Sequence, residues 1–209
     1  LLPALIRMQA GDGAIAPSVG VGHAADVIHM LGRSNGAKAL DTYLVTVSDH
    51  GLNASTFAAR VVASTQAGLT SAVLAGLGAL KGPLHGGAPG PVIEMLDAIA
   101  ADGDSKGWID RALDDGERLM GFGHRIYRTR DPRADALKTA LRSFDHVGAR
   151  LRFAEGVERV ALDALQRRKP DRVLETNVEF YTALLLEAVG FPKHAFTGVF
   201  AMGRVAGWP

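Results

Sequence analysis

The sequence predicts a mainly α-helical protein, and three observations support this prediction. Residues 54–80 form a long stretch of small apolar residues that can pack closely as a buried helix. In residues 89–100 the large apolar side chains recur at steps of three and four, which places them on one helix face. No segment alternates apolar and polar residues over the length of a convincing strand.

The first part of the chain predicts short helices separated by glycine-containing turns. Residues 1–32 predict a helical start, an interruption rich in glycine and proline at 11–22, and a short amphipathic helix. Residues 32–36 have the composition of a helix end followed by a turn. Residues 37–47 then predict another helix.

The middle of the chain predicts a long helix, a turn and two shorter helices. Residues 54–80 predict one helix that ends before Pro83, because proline cannot continue a helix. Residues 89–100 predict the next helix, and a loop at 102–107 separates it from a short one. The turn at 121–124 follows.

Helix start and stop signals define the rest of the chain. Asp131 followed by Pro132 predicts a helix whose cap is the aspartate, with proline at the first helical position. Apolar residues continue at helical spacing beyond it, and Gly148 and Gly156 are the expected breaks. Most of the arginines along this stretch, and the run at 167–169, predict a solvated face.

The last two predicted helices are apolar. Residues 171–189 predict a helix that ends at Gly190, with Pro192 just beyond it. Residues 196–208 predict a final helix, with Arg204 as its conspicuous cation.

Composition excludes several classes of protein and of site. The net charge of +1 is too small to favour nucleic acid or an anionic membrane, and the longest apolar run, 67–80, is shorter than the roughly 20 residues of a membrane span. The absence of cysteine excludes disulfides and thiolate metal ligands. His23 and His29 lack the spacing of a helical zinc pair, so we predict no metal. We expect a soluble, cytoplasmic protein that binds neither nucleic acid nor membrane.

Three short segments concentrate residues that can carry chemistry. GPLHGGA (82–88) holds His85, GFGH (121–124) holds His124, and NVEF (177–180) holds Glu179. Taken alone, each has an ordinary interpretation, since a histidine in a glycine turn usually caps a helix and most glutamates are surface residues. Their order and company give them greater weight than any one has alone.

These segments together resemble the citrate synthase family. GPLHGGA, GFGHRIYRTRDPRA (121–134) and NVEFY (177–181) match its three catalytic segments in order and separation, and SDHGLNAST (48–56) matches a fourth. The resemblance implies a large helical domain at 1–87 and 183–209, a smaller helical domain at 88–182, and an active site in the cleft between them. Measured against the family, both ends look shortened.

The resemblance implies condensation of acetyl-CoA with oxaloacetate to give citrate and CoA. Removing a weakly acidic proton next to a thioester requires a carboxylate base and a donor for the enol oxygen. Glu179 and His85 match these family positions. His124 matches the residue that polarises the ketone of the acceptor. The thioester is a substrate, so no cofactor is expected.

The remaining matched residues are implied to bind substrate. Arg133 and Arg204 match arginines that bind the dicarboxylate, and His50 matches the histidine that contacts oxaloacetate. Arg128 is the candidate for a CoA phosphate. From the residues alone, Arg133 could instead pair with Asp131 or Asp135, and Arg204 could be paired structurally.

The chain also departs from the family pattern. The family base is an aspartate, so Glu179 carries an extra methylene, and Gly51 stands where the family has a glutamate. One methylene in an apolar pocket changes specificity little, so 2-methylcitrate synthase, which uses propionyl-CoA, is an alternative. A non-catalytic homologue that binds acyl-CoA is another. The family and the apolar stretch 54–80 both predict a homodimer.

Overall fold

The computed structural model describes residues 1–82, 85, 89–123 and 130–208, and this part of the chain is mainly helical, as predicted. It contains no strand, only an isolated antiparallel bridge between Phe122 and Thr176. The α-helices of these residues are Leu2–Gln9 (α1), His23–Met30 (α2), Ala37–Val47 (α3), Ala54–Ser64 (α4), Leu69–Leu80 (α5), Pro89–Asp102 (α6), Ser105–Asp114 (α7), Pro132–Leu141 (α8), Gly148–Arg168 (α9), Val178–Val189 (α10) and Phe196–Arg204 (α11). Short 3-10 helices cover Asp145–Val147, Lys193–Ala195 and Val205–Gly207. None of the described helices combines the length and apolar character that a membrane crossing requires.

Local signals set several helix ends where the sequence predicts them. The Asp131 side chain caps α8 by accepting the Arg133 N–H, and proline occupies the first turn. Gly190 follows α10 with φ +91°, a left-handed conformation that favours glycine. Asn53 caps α4 by accepting the N–H groups of Ser55 and Thr56.

Two predicted helices have different bounds in the structure. The predicted helix 54–80 is two helices, because Gln66 and Gly68 adopt φ of 61° and 86° and reverse the chain between α4 and α5. The predicted helix 171–189 begins only at Val178. The Glu175 carbonyl oxygen instead accepts the Gly123 N–H, and the Asn177 N–H donates to the Gly121 carbonyl oxygen, which keeps residues 175–177 out of the helix.

Gly156 does not break a helix, contrary to the prediction. It lies within α9, and a Cβ built there would meet no other atom within 4 Å. Gly148 begins α9 directly after a 3-10 turn, so it does mark an element boundary.

The chain divides into two compact units, residues 1–87 with 189–209 and residues 88–188. In the first unit α3 packs against α2 and α11, and α4 packs against α5. Trp208 is buried with Ala59 and Leu80, and its indole ring lies on Gly76 of α5. This packing places the end of the chain beside the start of α4. The assignment of 1–87 and 183–209 to a large domain and 88–182 to a small one stays a prediction.

In the second unit α7 packs against α6 and α9, and α10 is buried along most of its length. Its side chains Phe180, Tyr181 and Leu185 are fully buried. The Phe180 ring lies 5.4 Å from that of Phe122, measured between ring centroids. The first turn of α10 is therefore held against the segment at 121–123.

This close approach predicts a large cost for a side chain at Gly121. Gly121 has φ +87°, and a Cβ there would lie 2.8 Å from the Phe180 Cβ, whereas Gly116 has φ +78° and open space around its Cβ position. Gly116→Ala should therefore lower the free energy of unfolding only by the backbone cost of about 1–2 kcal/mol. Gly121→Ala should lower it by clearly more, as measured by urea denaturation. Equal losses in the two variants would contradict this packing.

Candidate active site

His85 belongs to a hydrogen-bonded cluster in the first unit. Its Nε2 lies 2.8 Å from the Ser55 hydroxyl oxygen and 3.3 Å from the Ser55 backbone nitrogen. The Trp208 indole N–H donates to the same hydroxyl at 3.0 Å, and Asn53 Oδ1 lies 2.8 Å from it. Because an indole can only donate, the single hydroxyl proton is left for either His85 or Asn53. The start of α4 and the end of the chain thus fix one edge of the imidazole ring.

The pKa of His85 is lowered from its ordinary value. Burial is the main cause, the positive charge of Arg204 adds to it, and a backbone hydrogen bond opposes both. His85 is therefore neutral at pH 7, and a neutral imidazole can donate one N–H without carrying a charge.

Arg204 is held at the end of α11, close enough to His85 for its charge to act there. Its side chain is buried, and its Nε donates to the Val47 carbonyl oxygen at 2.6 Å. Its guanidinium lies 4.7 Å above the Phe200 ring, measured to the centroid. Val47 ends α3, three residues before the half-buried His50. The first unit therefore places Arg204 against the segment that leads to His50.

In the second unit Arg133 forms a two-point ion pair with Asp131. The Nε and Nη2 atoms of Arg133 donate to the two carboxylate oxygens at 3.0 and 2.8 Å, and the Asp131 side chain is 1% exposed. Asp131 also accepts the Val178 N–H at 3.1 Å. Burial raises the pKa of Asp131, but its bonds with Arg133 and Val178 lower it further, to below its ordinary value. The pairing with Asp131 that the sequence left open is present, and it engages one edge of the guanidinium.

Glu179 lies in the first turn of α10, a position fixed by Asn177. The Asn177 side chain accepts the Glu179 N–H at 3.0 Å and donates to the Gly123 carbonyl oxygen at 2.8 Å. Its backbone N–H donates to the Gly121 carbonyl oxygen at 2.9 Å. These bonds fix the start of α10 relative to the first three residues of the GFGH motif.

Burial raises the pKa of Glu179 to about 7. The positive charges of Arg118 and Arg133 oppose this shift, and the negative charge of Asp131 adds to it. A carboxylate with a pKa near neutrality is a stronger base than an ordinary one and is still substantially ionised at pH 7. The folded state binds this proton more tightly than the unfolded state, so ionising Glu179 costs stability as the pH rises from 4.5 through 7.

A cavity of about 820 Å³ opens in the second unit beside the same segment. Arg118, Lys169 and Arg172 line it, together with Phe122 and Gly123. Glu117 and Asp171 also line the cavity, and the three cations outnumber these two carboxylates, which suits a phosphate-bearing ligand. Sequence reasoning missed them.

The missed residues differ in how visible they were beforehand. Ser55 lies inside the SDHGLNAST segment, so its presence near His85 had a sequence signal. No sequence signal pointed to Trp208 or Arg118. Trp208 is found only through its packing on α5, and Arg118 only through its charge acting on the buried Glu179. Lys169 belongs to the run 167–169, which was predicted to be a solvated face, so it was not considered as a binding residue. In the same run, Arg168 forms ion pairs with Asp110 and Asp114.

The predicted site residues thus fall into two groups. His85 and Arg204 come together in the first unit, with His50 further along the segment that holds Arg204. Glu179 and Arg133 come together in the second unit. His124 and Arg128 lie outside the described residues. Among the residues that are described, no group of three or more His, Asp or Glu side chains is arranged to hold a metal ion.

Comparison with known proteins gives one consistent result. The family model for the C-terminal domain of citrate synthase matches residues 1–209. Putative citrate synthase 2 of Mycobacterium tuberculosis is 48% identical over 172 residues, which are 82% of this chain and 45% of that protein. 2-Methylcitrate synthase 1 of Corynebacterium glutamicum is 35% identical over 213 residues, covering 97% of this chain and 55% of that protein.

A solved structure agrees with the sequence matches. The ternary complex of citrate synthase from Thermoplasma acidophilum with carboxymethyl coenzyme A and oxaloacetate has a TM-score of 0.87 and 29% identity. The match covers 99% of this chain and 56% of that chain. This chain spans about half the length of the curated relatives it matches. Because the family model matches all 209 residues and these relatives are similar, we conclude that the chain belongs to the citrate synthase family.

Proposed function

We propose that the full-length protein condenses acetyl-CoA with oxaloacetate and water to give citrate and CoA. One observation carries this proposal: the NVEFY segment presents a carboxyl group, Glu179, whose pKa is raised to about 7 beside the Arg133–Asp131 pair. Taking a proton from the carbon next to a thioester requires a general base, and a base is most effective when its pKa lies near the working pH. The family match supports this reaction class.

Glu179 and His85 share the first step of the proposed reaction. Glu179 takes a proton from the methyl carbon of acetyl-CoA, and the C–H electron pair moves into the forming enol. The neutral His85 donates a hydrogen bond to the thioester oxygen, where negative charge develops. His85 is suited to this role because a lowered pKa keeps it uncharged at pH 7.

The enol carbon then attacks the ketone of oxaloacetate, with His124 donating to the ketone oxygen. A carbon–carbon bond forms, so the acyl group is converted into an alkyl group on transfer. Water then cleaves the thioester and releases CoA. The scheme uses the thioester as a substrate and no separate cofactor.

The two carboxylates of oxaloacetate are proposed to bind Arg133 and Arg204, with His50 as a further donor. Arginine suits this task because its planar guanidinium can bind a carboxylate through two parallel hydrogen bonds. For CoA, Arg128 is the proposed phosphate contact. The cavity lined by Arg118, Lys169 and Arg172 is proposed to hold another part of the nucleotide.

A second candidate substrate is propionyl-CoA. The observation that favours it is the similarity to 2-methylcitrate synthase 1 of Corynebacterium glutamicum, which covers 97% of this chain. The additional methylene is worth only about 1–3 kcal/mol in an apolar pocket, so the two thioesters are distinguished by rate rather than by chemistry.

A cytoplasmic location stays a prediction.

The protein is also proposed to act as a homodimer. Large apolar side chains are exposed on α4 and α5: Phe57, Val61, Leu69, Leu74 and Leu77. Exposed apolar side chains concentrated on two adjacent helices are typical of a protein interface. Sedimentation of the full-length protein should give twice the monomer mass, and Leu74→Lys should shift it toward the monomer. A monomeric wild type would contradict the proposal.

The direct test of the function is CoA release by the full-length protein. Release should require both oxaloacetate and a thioester, and kcat/KM should be higher with acetyl-CoA than with propionyl-CoA. The reverse ranking would support the 2-methylcitrate alternative. If the folded protein consumes neither thioester, the non-catalytic interpretation replaces this proposal.

Replacing the proposed base should abolish most of the rate. Glu179→Gln should lower kcat at least about 100-fold, because the amide cannot accept the methyl proton. Glu175→Gln is the matched control, four residues earlier and outside the proposed chemistry, and should stay within about twofold of wild type. A Glu179→Gln variant with the wild-type kcat would refute the assignment.

The pH dependence of kcat follows from the raised pKa of Glu179. Only the ionised carboxylate accepts a proton, so kcat should rise with pH through about 7 and level off above it. A rise centred instead near the ordinary value of 4.5 would mean that Glu179 is not desolvated in the working enzyme.

A further inference from the structure

Glu158 is a buried carboxylate of α9 that the proposed reaction does not use. Its side chain is 5% exposed, although a buried charge is costly unless it is paired and hydrogen-bonded. Among the residues that the structure describes, four donors surround it. These are the Tyr181 hydroxyl at 2.5 Å, the Thr176 hydroxyl at 2.7 Å, Arg130 Nη1 at 3.2 Å and Lys138 Nζ at 3.4 Å.

The donors are arranged so that each carboxylate oxygen of Glu158 joins two parts of the chain. Oε1 accepts from Arg130, which precedes α8, and from Thr176, which precedes α10. Oε2 accepts from Lys138 on α8 and from Tyr181 on α10. The carboxylate therefore ties the α8 side to the α10 side twice.

The two connected segments are those that carry the proposed chemistry. Arg130 is adjacent to Asp131, which clamps Arg133. Thr176 and Tyr181 lie on either side of Glu179 in the sequence, and the intervening turn is the first of α10. Neither Glu179 nor Arg133 is one of these four donors to Glu158.

The electrostatics fit a permanently ionised carboxylate. Burial raises the pKa of Glu158, but the Tyr181 and Thr176 hydrogen bonds and the charges of Lys138 and Arg130 lower it further, to below its ordinary value. Burial and the bond to Glu158 raise the pKa of Tyr181, which keeps its hydroxyl protonated as a donor. Lys138 Nζ also lies 5.3 Å from the Tyr181 ring centroid, so two of the four donors contact each other as well as Glu158.

We propose that Glu158 is a positioning residue, which sets the placement of Glu179 relative to Arg133 by holding their two segments together. This inference rests on the proposed function for its kinetic consequence, but the geometry it describes belongs to the second unit alone. It matters because a displacement of about 1 Å at a reacting group can cost about 100-fold in rate. Asp131 provides a further tie, through the Val178 N–H, so the two segments are joined by two buried carboxylates.

The test compares Glu158→Gln with Glu155→Gln in the full-length protein. Glu155 lies on the same helix and also pairs with Lys138, at 3.2 Å, but its other partner is Arg142 rather than a group next to the site. Glu158→Gln should lower kcat about 10-fold or more while KM for acetyl-CoA changes less than about twofold. Glu155→Gln should leave both constants within about twofold.

A second variant guards against loss of folding. Tyr181→Phe removes one donor and keeps the carboxylate with its cations, so it should fold and should lower kcat in the same direction by a smaller factor. All rates are measured at a temperature well below the melting temperature of each variant. If Glu158→Gln and Tyr181→Phe lower only the melting temperature and leave kcat at the wild-type value, the residue is merely structural and the proposal is overturned.

Amide hydrogen exchange separates this proposal from the proposed function. In Glu158→Gln the amides of Val178 and Glu179 should exchange at least about 10-fold faster than in wild type, with no such change in Glu155→Gln. This result is expected even if wild type condenses neither thioester, in which case only the proposed function fails. Unchanged exchange at both amides would overturn the positioning role.

Discussion

The second unit depends on the carboxylate of Asp131. This one buried group caps α8, holds Arg133 by two hydrogen bonds and accepts the first N–H of α10. A carboxylate buried to this extent is stable only because every one of these donors is present. The pair also has little net charge, so its two effects on Glu179 oppose each other and burial dominates the pKa of that residue.

The first unit prepares His85 by a different means. Ser55 and Trp208 fix one edge of its ring, and burial with the Arg204 charge lowers its pKa. His85 is therefore a neutral donor at pH 7, whereas Glu179 is a carboxyl group near half ionisation. The proposed enolisation uses the neutral imidazole as donor and the ionised form of the carboxylate as base, and in each case burial is the main cause of the pKa shift.

Sequence reasoning predicted the helical fold, because helix starts and ends depend on local signals. The segments proposed to carry the site came from the family resemblance, and their roles stay a prediction. Asp131 with Pro132 and Gly190 are examples in which the cap itself is written in the sequence. It failed where tertiary contacts override local pattern: residues 171–177 were predicted to be helical, yet Glu175 and Asn177 form backbone hydrogen bonds with the Gly121–Gly123 segment instead. The role of Glu158 was also out of reach, since its donors lie 18 to 28 residues away along the chain.

The proposed reaction depends on burial making Glu179 a base matched to neutral pH. The most direct measurement is a carbon-13 NMR titration of the full-length protein labelled at the glutamate side-chain carboxyl carbons, with the Glu179 signal assigned by its absence from Glu179→Gln. We expect a titration midpoint near pH 7 for that signal. A midpoint near 4.5, the value of an ordinary glutamate, would contradict it.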